Sequence, residues 1–387
     1  MIGLNKSIAL QKKKGQIDYL ILALVIIIVA FGLIMLFSSS YIVGVKRNNN
    51  GFYYVFGQLR GIIGGFIILA ILASSKFNYK ILKKYSGLIY IISVVALLLV
   101  YVPGLSMTAA DGGSINGADR WFRIFGMSVQ PSEIAKFGLI ITVSAVISRF
   151  GQLRMQSFWK GVFPIIMLMS VIEIIILLQP NFSIFTIIAI TCFAILMFSG
   201  VKWSHLVIML ILAIVAGGVI MFGEDYRSSR VASFMNPFDP ALDKDKVLQI
   251  KQSLYAISEG GLFGKGVGNS TQKNMFLPLN ESDFIFAIIA EEIGFFGSVI
   301  FLFTYLMLIW RCLRVAWMCN DFFGRLVAAG ITTIIGLQVF INIGVVTSSI
   351  PNTGVPLPFV SYGSTSMIVF LSAIGIILNI SRTINDP

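Results

Sequence analysis

Long apolar runs separated by short polar segments set the pattern of this chain. A helix needs roughly 20 mainly apolar residues to cross the hydrocarbon of a bilayer. That ruler marks ten segments, centred near Val25, Ile67, Val94, Ile141, Leu168, Ala189, Ile211, Ile300, Gly336 and Ile374. The second holds Arg60 and the fourth holds Glu133 and Lys136, charges that must snorkel to the interface or serve the molecule within it. The first uncharged stretch, Tyr19 to Val45, is too long for a signal peptide and lacks a small-residue cleavage site, so it reads as a spanning helix. The pattern predicts an all-α, polytopic membrane protein with ten transmembrane helices. With no heptads, low-complexity tract or convincing repeat, residues 1–387 read as a single membrane domain.

Charge orients the predicted bundle. Lys and Arg gather at Lys12 to Lys14, Lys76 to Lys84, Arg149 to Lys160, Lys202, Arg311 to Arg325 and Arg382, on alternate ends of successive helices, which marks that side as cytoplasmic. Both termini then lie inside, residues 1–17 forming a cytoplasmic tail. The other side receives Pro103 to Pro131, Gly223 to Ser282 and Thr347 to Gly363, all rich in turn residues. The long extracytoplasmic loop between helices seven and eight, residues 223–282, is of a length that points to function or disorder. From Lys246 to Ser270 an amphipathic stretch gives way to five glycines, which predicts a short helix on the outer surface followed by backbone packed closely against something.

Composition narrows the classes further. Of the 387 residues 57% are hydrophobic and 12% charged, a balance that excludes a water-soluble globular surface. The net charge of +12 falls in the short inter-helix blocks, where membrane orientation explains it, so nucleic acid is not expected as a partner. Cys192, Cys312 and Cys319 have no metal-ligand spacing and the single His205 stands outside any motif, so neither a disulfide framework nor a zinc site is expected.

Candidate chemistry lies at helix ends on the outer side. In L-P-L-N-E-S-D-F-I-F-A-I-I-A-E-E-I-G, Leu277 to Gly294, Asp283 is the last charge before an apolar run. Asn280, Ser282 or Asp283 serves equally well there as a helix cap. Glu291 follows roughly 12 Å deeper and about 80° around a continuous helix, with Glu292 pointing almost the opposite way. In N-G-A-D-R-W-F-R-I-F-G-M-S-V-Q-P-S-E-I-A-K-F, Asn116 to Phe137, Pro131 suits a first helical turn. Glu133 and Lys136 lie on one face, either neutralising each other or serving a site. Arg120, Trp121 and Arg123 suit an anionic headgroup, and Trp121 equally suits an interfacial anchor. The third stretch, T-G-V-P-L-P-F-V-S-Y-G-S-T-S-M from Thr353 to Met367, has prolines that forbid a regular helix and serines, Ser361 to Ser366, able to cap the last span. Glu173 is an acid within the fifth span, with either a pairing or a site role open.

Together these motifs resemble the SEDS family of FtsW, RodA and SpoVE across the whole chain. The resemblance rests on Gly117, Arg120 and Trp121, then Gln130, Pro131, Ser132, Glu133 and Lys136, on the glycine segment Gly260 to Gly268, on the complete D-F-I-F-A signature from Asp283 to Gly294, and on Gly354 to Gly363. It implies a peptidoglycan glycosyltransferase that polymerises lipid II outside the bacterial cytoplasmic membrane, with Asp283 as the essential acid. As implied roles, Asp283 removes the proton of the attacking hydroxyl and undecaprenyl diphosphate leaves with inversion. Arg120 and Lys136 meet the diphosphate, Glu133 holds Lys136, and Trp121, Gln130 and Ser361 complete the substrate set. No metal ligand is assigned, and a divalent cation, magnesium or manganese, remains an open addition. The implied partners are the growing glycan strand, a class B penicillin-binding protein acting as transpeptidase, and membrane proteins of the divisome or elongasome.

Three stretches depart from the family pattern: Ser364 replaces a glycine, Gln179 to Ser183 stand where Q-P-D-x-G is usual, with Asn181 for the aspartate, and Leu279 to Ser282 replace an E-x-H approach to Asp283. Ser38 to Ser40 and Leu378 to Arg382 are closer to FtsW or SpoVE, pointing to septal or sporulation-type wall synthesis. A lipid II flippase and a non-catalytic scaffold for a transpeptidase are the competing readings. A flippase would mark the cytoplasmic half with polar groups as well.

Overall fold

The computed structural model describes residues 15–102, 114–115, 118–124, 127–222, 234–235, 244–274 and 276–384. Lys12 to Lys14, most of the loop after Pro103 and most of the first half of the 223–282 segment lie outside the described residues. Helices follow in chain order: α1 (Tyr19–Asn48), α2 (Tyr53–Ala73), α3 (Lys80–Lys84), α4 (Ser86–Leu98), α5 (Pro131–Met155), α6 (Phe163–Leu178), α7 (Phe182–Phe198) and α8 (Trp203–Phe222). They are followed by helices Lys244–Gly260, Ile285–Met318, Phe322–Val346 and Ser364–Ser381. Each predicted span centre falls inside a helix. Among the described residues seven helices are long and apolar enough to cross a membrane, and α4, α7 and α8 are shorter apolar helices.

The all-α expectation needs one small amendment. Two short antiparallel hairpins precede α5: β1 (Ser114–Ile115) with β2 (Ala118–Asp119), and β3 (Phe122–Ile124) with β4 (Met127–Val129). They pair the polar, glycine-containing stretch that has too few apolar residues to form another span.

Local chemistry sets the helix ends. Asp18 caps α1 by accepting from the N–H groups of Leu20 and Ile21, Lys46 and Arg47 occupy its last turn, and Asn49 closes it at φ 53°. Pro131 opens α5 in the first turn, where its missing N–H costs nothing. Small residues then let helices approach. A Cβ at Gly61 would lie 2.7 Å from Ser364 Cα, one at Gly65 2.6 Å from Leu371 Cδ1, and one at Gly375 3.0 Å from Leu69 Cα. These glycines seat α2 against Ser364–Ser381 by backbone contact, the packing that drives association where lipid removes the hydrophobic incentive. At the opposite extreme, α8 leaves Leu210, Ile211, Leu212, Ile214 and Val215 exposed, a surface that only lipid or a partner helix would solvate.

The helix Ile285–Met318 is not continuous. Gly294 adopts φ 69° and ψ −171°, which interrupts the backbone ladder. The glycine segment fills the interruption: Lys265 and Gly266 donate to the carbonyls of Glu291 and Glu292 at 3.0 and 2.9 Å, and Phe295 and Phe296 donate to those of Gly261 and Leu262 at 2.9 and 3.1 Å. Backbone groups freed by the break are thereby paired. The expected close packing of the glycines after a short helix is therefore present, and what they pack against is the broken span itself.

Candidate functional site

The segment from Thr353 to Ser366 is the hub on which the motifs meet. Its Thr353 carbonyl accepts from Ser183 Oγ at 2.6 Å. Ser361 Oγ donates to the Ser282 carbonyl at 2.6 Å and accepts from Leu357 N at 2.8 Å, while Tyr362 N donates to the Glu281 carbonyl at 3.0 Å. Gln58, buried on α2, bridges the same turn by donating to Ser361 O at 3.1 Å and accepting from Gly363 N at 2.9 Å. Thr365 Oγ1 donates to Ser128 O at 2.8 Å, and Ser366 Oγ donates to Glu133 Oε2 at 3.1 Å. Six residues of chain, Ser361 to Ser366, thus bond both to the Asp283 loop and to the Glu133–Lys136 pair.

Asp283 is half-buried at the start of the interrupted helix. Its carbonyl accepts from Asn342 Nδ2 at 2.7 Å, and Gly354 at φ 68° lies so close that a Cβ there would sit 3.3 Å from Asp283 Oδ2. The N-cap falls on Phe284, which makes no side-chain cap bond. Asn280 donates instead to Lys273 O at 3.3 Å. The last helix likewise starts at Gly363 without a side-chain cap, so the serines of Ser361 to Ser366 bond to other segments and the expected capping is not made.

Lys136 and Glu133 form a salt bridge of 2.7 Å with side chains 0% and 1% exposed. The ammonium also lies 5.6 Å from the centre of the Phe370 ring. This enclosure leaves Lys136 no open face toward a ligand in this conformation. Arg120 donates to the carbonyls of Gln179 at 3.0 Å and Pro180 at 2.6 Å, so it holds the α6–α7 turn. Asn181 caps α7, its side chain accepting from Ile184 N at 3.4 Å. Trp121 and Gln130 are half-buried beside these groups in sequence, Gln130 at the N-cap of α5 without a side-chain bond to it. The Arg123 side chain and Gly117 lie outside the described residues.

Glu291 and Glu292 face the glycine segment. Glu291 binds Lys265 at 2.9 Å and the Thr271 N–H at 2.8 Å. Glu292 binds Lys273 at 2.9 Å and Ser38 Oγ at 2.6 Å. Although the two acids leave the helix on different sides, the 265–273 loop wraps both. Glu281 is buried beside Arg47 at 3.7 Å; burial pushes its carboxyl up and Arg47 opposes the shift. Burial pushes the Tyr362 phenol up to about 12.

Apolar grooves flank these groups. One, of about 230 Å³, is lined by Ile89, Ile134, Phe137, Gly138, Val369 and Ile376 among others, next along α5 to Glu133 and Lys136. A second, of about 310 Å³, lies between α1 and the interrupted helix, against Ile28, Phe31, Ile293 and Phe301. Glu173 Oε1 has no hydrogen-bond partner among the described residues, and all three cysteines are buried and free. No group of three or more acids, histidines and cysteines that would hold a metal ion occurs among the described residues.

Sequence reasoning missed Asn342, Gln58 and Lys273. Asn342 and Gln58 left a signal, a polar side chain within an apolar segment that must find a partner, whereas Lys273 sits in a polar stretch that gave none.

These features define a multi-pass helical membrane protein whose polar groups converge where several helices begin or end. The sequence profile of the family described as "Cell cycle protein" (FtsW, RodA and SpoVE) matches residues 18–386, and the chain belongs to that family. It is 35% identical over 370 residues to "Stage V sporulation protein E" of Bacillus subtilis, covering 96% of this chain and 98% of that one. It is 36% identical over 388 residues to "Probable peptidoglycan glycosyltransferase FtsW" of the same organism, covering 96% and 92%. Among solved structures it resembles the rod shape determining protein RodA of Thermus thermophilus, with a TM-score of 0.69 at 24% identity over 96% of this chain and 98% of that one. A chain from "Structural coordination of polymerization and crosslinking by a peptidoglycan synthase complex" gives a TM-score of 0.74 at 24% identity, covering 95% and 98%. At that identity both establish the fold.

Proposed function

We propose that this protein is a peptidoglycan glycosyltransferase that crosses the cytoplasmic membrane ten times and polymerises lipid II on the extracytoplasmic side. The observation that carries the reading is Asp283: a half-buried carboxylate fixed through its own carbonyl and bordered by Gly354, on a loop bonded to the hub. FtsW-named relatives that match nearly the full chain supply the reaction class.

Asp283 accepts the proton from O4 of the acceptor N-acetylglucosamine as that oxygen attacks the anomeric carbon of the donor N-acetylmuramic acid. The bond to undecaprenyl diphosphate breaks, and the diphosphate leaves with the electron pair. The α-linked donor becomes a β-1,4 glycan. Because diphosphate departs without a proton, one carboxylate suffices where glycosidases use two. Arg120 is assigned to the diphosphate from its place at the α6–α7 turn, and Lys136 reaches it only when Glu133 releases the ammonium. The groove beneath Glu133 and Lys136 is assigned to a polyprenyl tail, its apolar lining matching the chain's chemistry. A class B penicillin-binding protein is the proposed partner, supported by the likeness to a chain from a synthase complex.

Purified lipid II, the chain and its partner transpeptidase test this directly. Wild type is expected to yield glycan, while Asp283→Asn and Asp283→Ala at equal folded yield lose about 10²–10⁴-fold in rate. Undiminished rates from both variants would remove Asp283 from the chemistry. No glycan from wild type, with lipid II transferred between the leaflets of vesicles, would establish a flippase.

A further inference from the structure

The loop bearing Asp283 and the loop bearing Gly354 approach each other from different helices, and one side chain ties them. Asn342 is 1% exposed near the outer end of helix Phe322–Val346. Its Nδ2 donates to Asp283 O at 2.7 Å and to Val355 O at 2.8 Å. The two carbonyls fix the amide's orientation, since the flipped group would set oxygen against oxygen. Its Oδ1 has no hydrogen-bond partner among the described residues. Leaving such an acceptor buried and unpaired costs about 1–3 kcal/mol, which an apolar side chain would avoid. The position therefore retains an amide for its two donors, and both are spent at the acidic site.

We propose that Asn342 is a positioning residue: by fastening Asp283 and Val355 to one amide it holds the Asp283 carboxylate against Gly354, in the attitude from which it takes the acceptor's proton. This rests on the role given above to Asp283. The space beside the carboxylate is limited, because a Cβ built on Gly354, itself at φ 68°, would sit 3.3 Å from Asp283 Oδ2. The two loops are also joined by Ser361 Oγ on Ser282 O and Tyr362 N on Glu281 O, but these bonds act one and two residues away from Asp283.

The test compares Asn342→Ala and Asn342→Ser in lipid II polymerisation, each alone and with Asp283→Glu, alongside backbone hydrogen exchange in detergent. Positioning predicts that kcat falls roughly 10–100-fold for Asn342→Ala, the scale of a misplacement near 1 Å, while KM stays within about twofold. Asn342→Ser, with one donor left, falls between. Asp283→Glu costs at least about tenfold less in the Asn342→Ala background than in wild type, because an already loose carboxylate loses little by being lengthened. Exchange quickens at the amides of Phe284 and Leu357. A raised KM with unchanged kcat, strictly multiplicative losses, or no folded protein from either variant would overturn the proposal and leave Asn342 a packing residue. If wild type makes no glycan, the reading of function falls instead. Exchange then decides the clamp: unchanged rates at Phe284 and Leu357 in the variants overturn it, and quickened rates uphold it.

Discussion

Replacing Gly264 by alanine isolates what the insertion of the glycine segment is worth. Gly264 sits at φ 81°, where an L side chain costs about 1–2 kcal/mol. A Cβ there would lie 2.3 Å from Glu292 O and 2.6 Å from Gly294 N, both backbone atoms that cannot turn aside. The loop must therefore withdraw, releasing the bonds from Lys265 and Gly266 to Glu291 and Glu292, each worth about 1 kcal/mol. The total is roughly 3–4 kcal/mol. Gly268 provides the control: its φ of 90° carries the same strain, yet a Cβ there meets nothing within 4 Å, so its alanine variant loses about 1–2 kcal/mol. Tryptophan-fluorescence melts of the two variants in one detergent read the difference. The midpoint of Gly264→Ala should fall at least twice as far as that of Gly268→Ala. Equal falls would refute the claim that close approach at the helix break stabilises the fold.

Other substitutions probe the remaining contacts. Lys136→Met leaves Glu133 buried without its cation and should destabilise by about 3–5 kcal/mol, whereas the double variant Glu133→Gln/Lys136→Met should recover much of the loss. A double variant no more stable than the single one in detergent melts would contradict the enclosed pair. Gly65→Leu drives a side chain into Leu371 and the backbone of Ile368, and folded yield by size-exclusion chromatography should collapse while Gly87→Leu, at an exposed position where a Cβ meets nothing within 4 Å, folds. The Lys265 ammonium bonded to Glu259 holds that carboxyl below the ordinary glutamate range. Its folded pKa is depressed, so the stabilisation is present above the unfolded value and is lost as pH falls through the depressed one. With Glu259 39% exposed, the loss is small and screened by salt. In acid melts at low salt, wild type should lose more than Glu259→Gln; identical losses would show that the pair contributes nothing.

The helical pattern was legible because lipid demands long apolar runs, and the span centres fall inside the helices. The junction of the motifs was only partly legible. Asp283, Glu133 and Lys136 stand out as charges at or within apolar segments, but sequence gives no distance between segments, so nothing marked Ser361 to Ser366 as their common contact. The break at Gly294 was hidden because a lone glycine is tolerated inside an apolar helix, and residues on either side remain apolar. The five glycines at Gly260 to Gly268 signalled close packing, while their target, the carbonyls of Glu291 and Glu292, is a backbone feature that no side chain reveals. Asn342 was visible as an amide in an apolar span, yet its partners are two carbonyls 59 and 13 residues away, which sequence does not reveal.

The hydrogen bonds at the Gly294 break and those of the hub differ greatly in sequence reach, which limits the order in which they can form during synthesis. The contacts filling the break at Gly294 join residues about thirty positions apart, a loop whose closure entropy is modest. They can form as soon as that stretch has left the insertion machinery. Gln58 and Ser361, by contrast, are 303 residues apart, and Ser366 meets Glu133 across 233. The contacts that tie Ser361 to Ser366 to α2 and to Glu133 wait for the final span to dock between α2 and α5. A nascent chain can therefore hold the filled break at Gly294 before the loop bearing Asp283 has met Ser361 to Ser366.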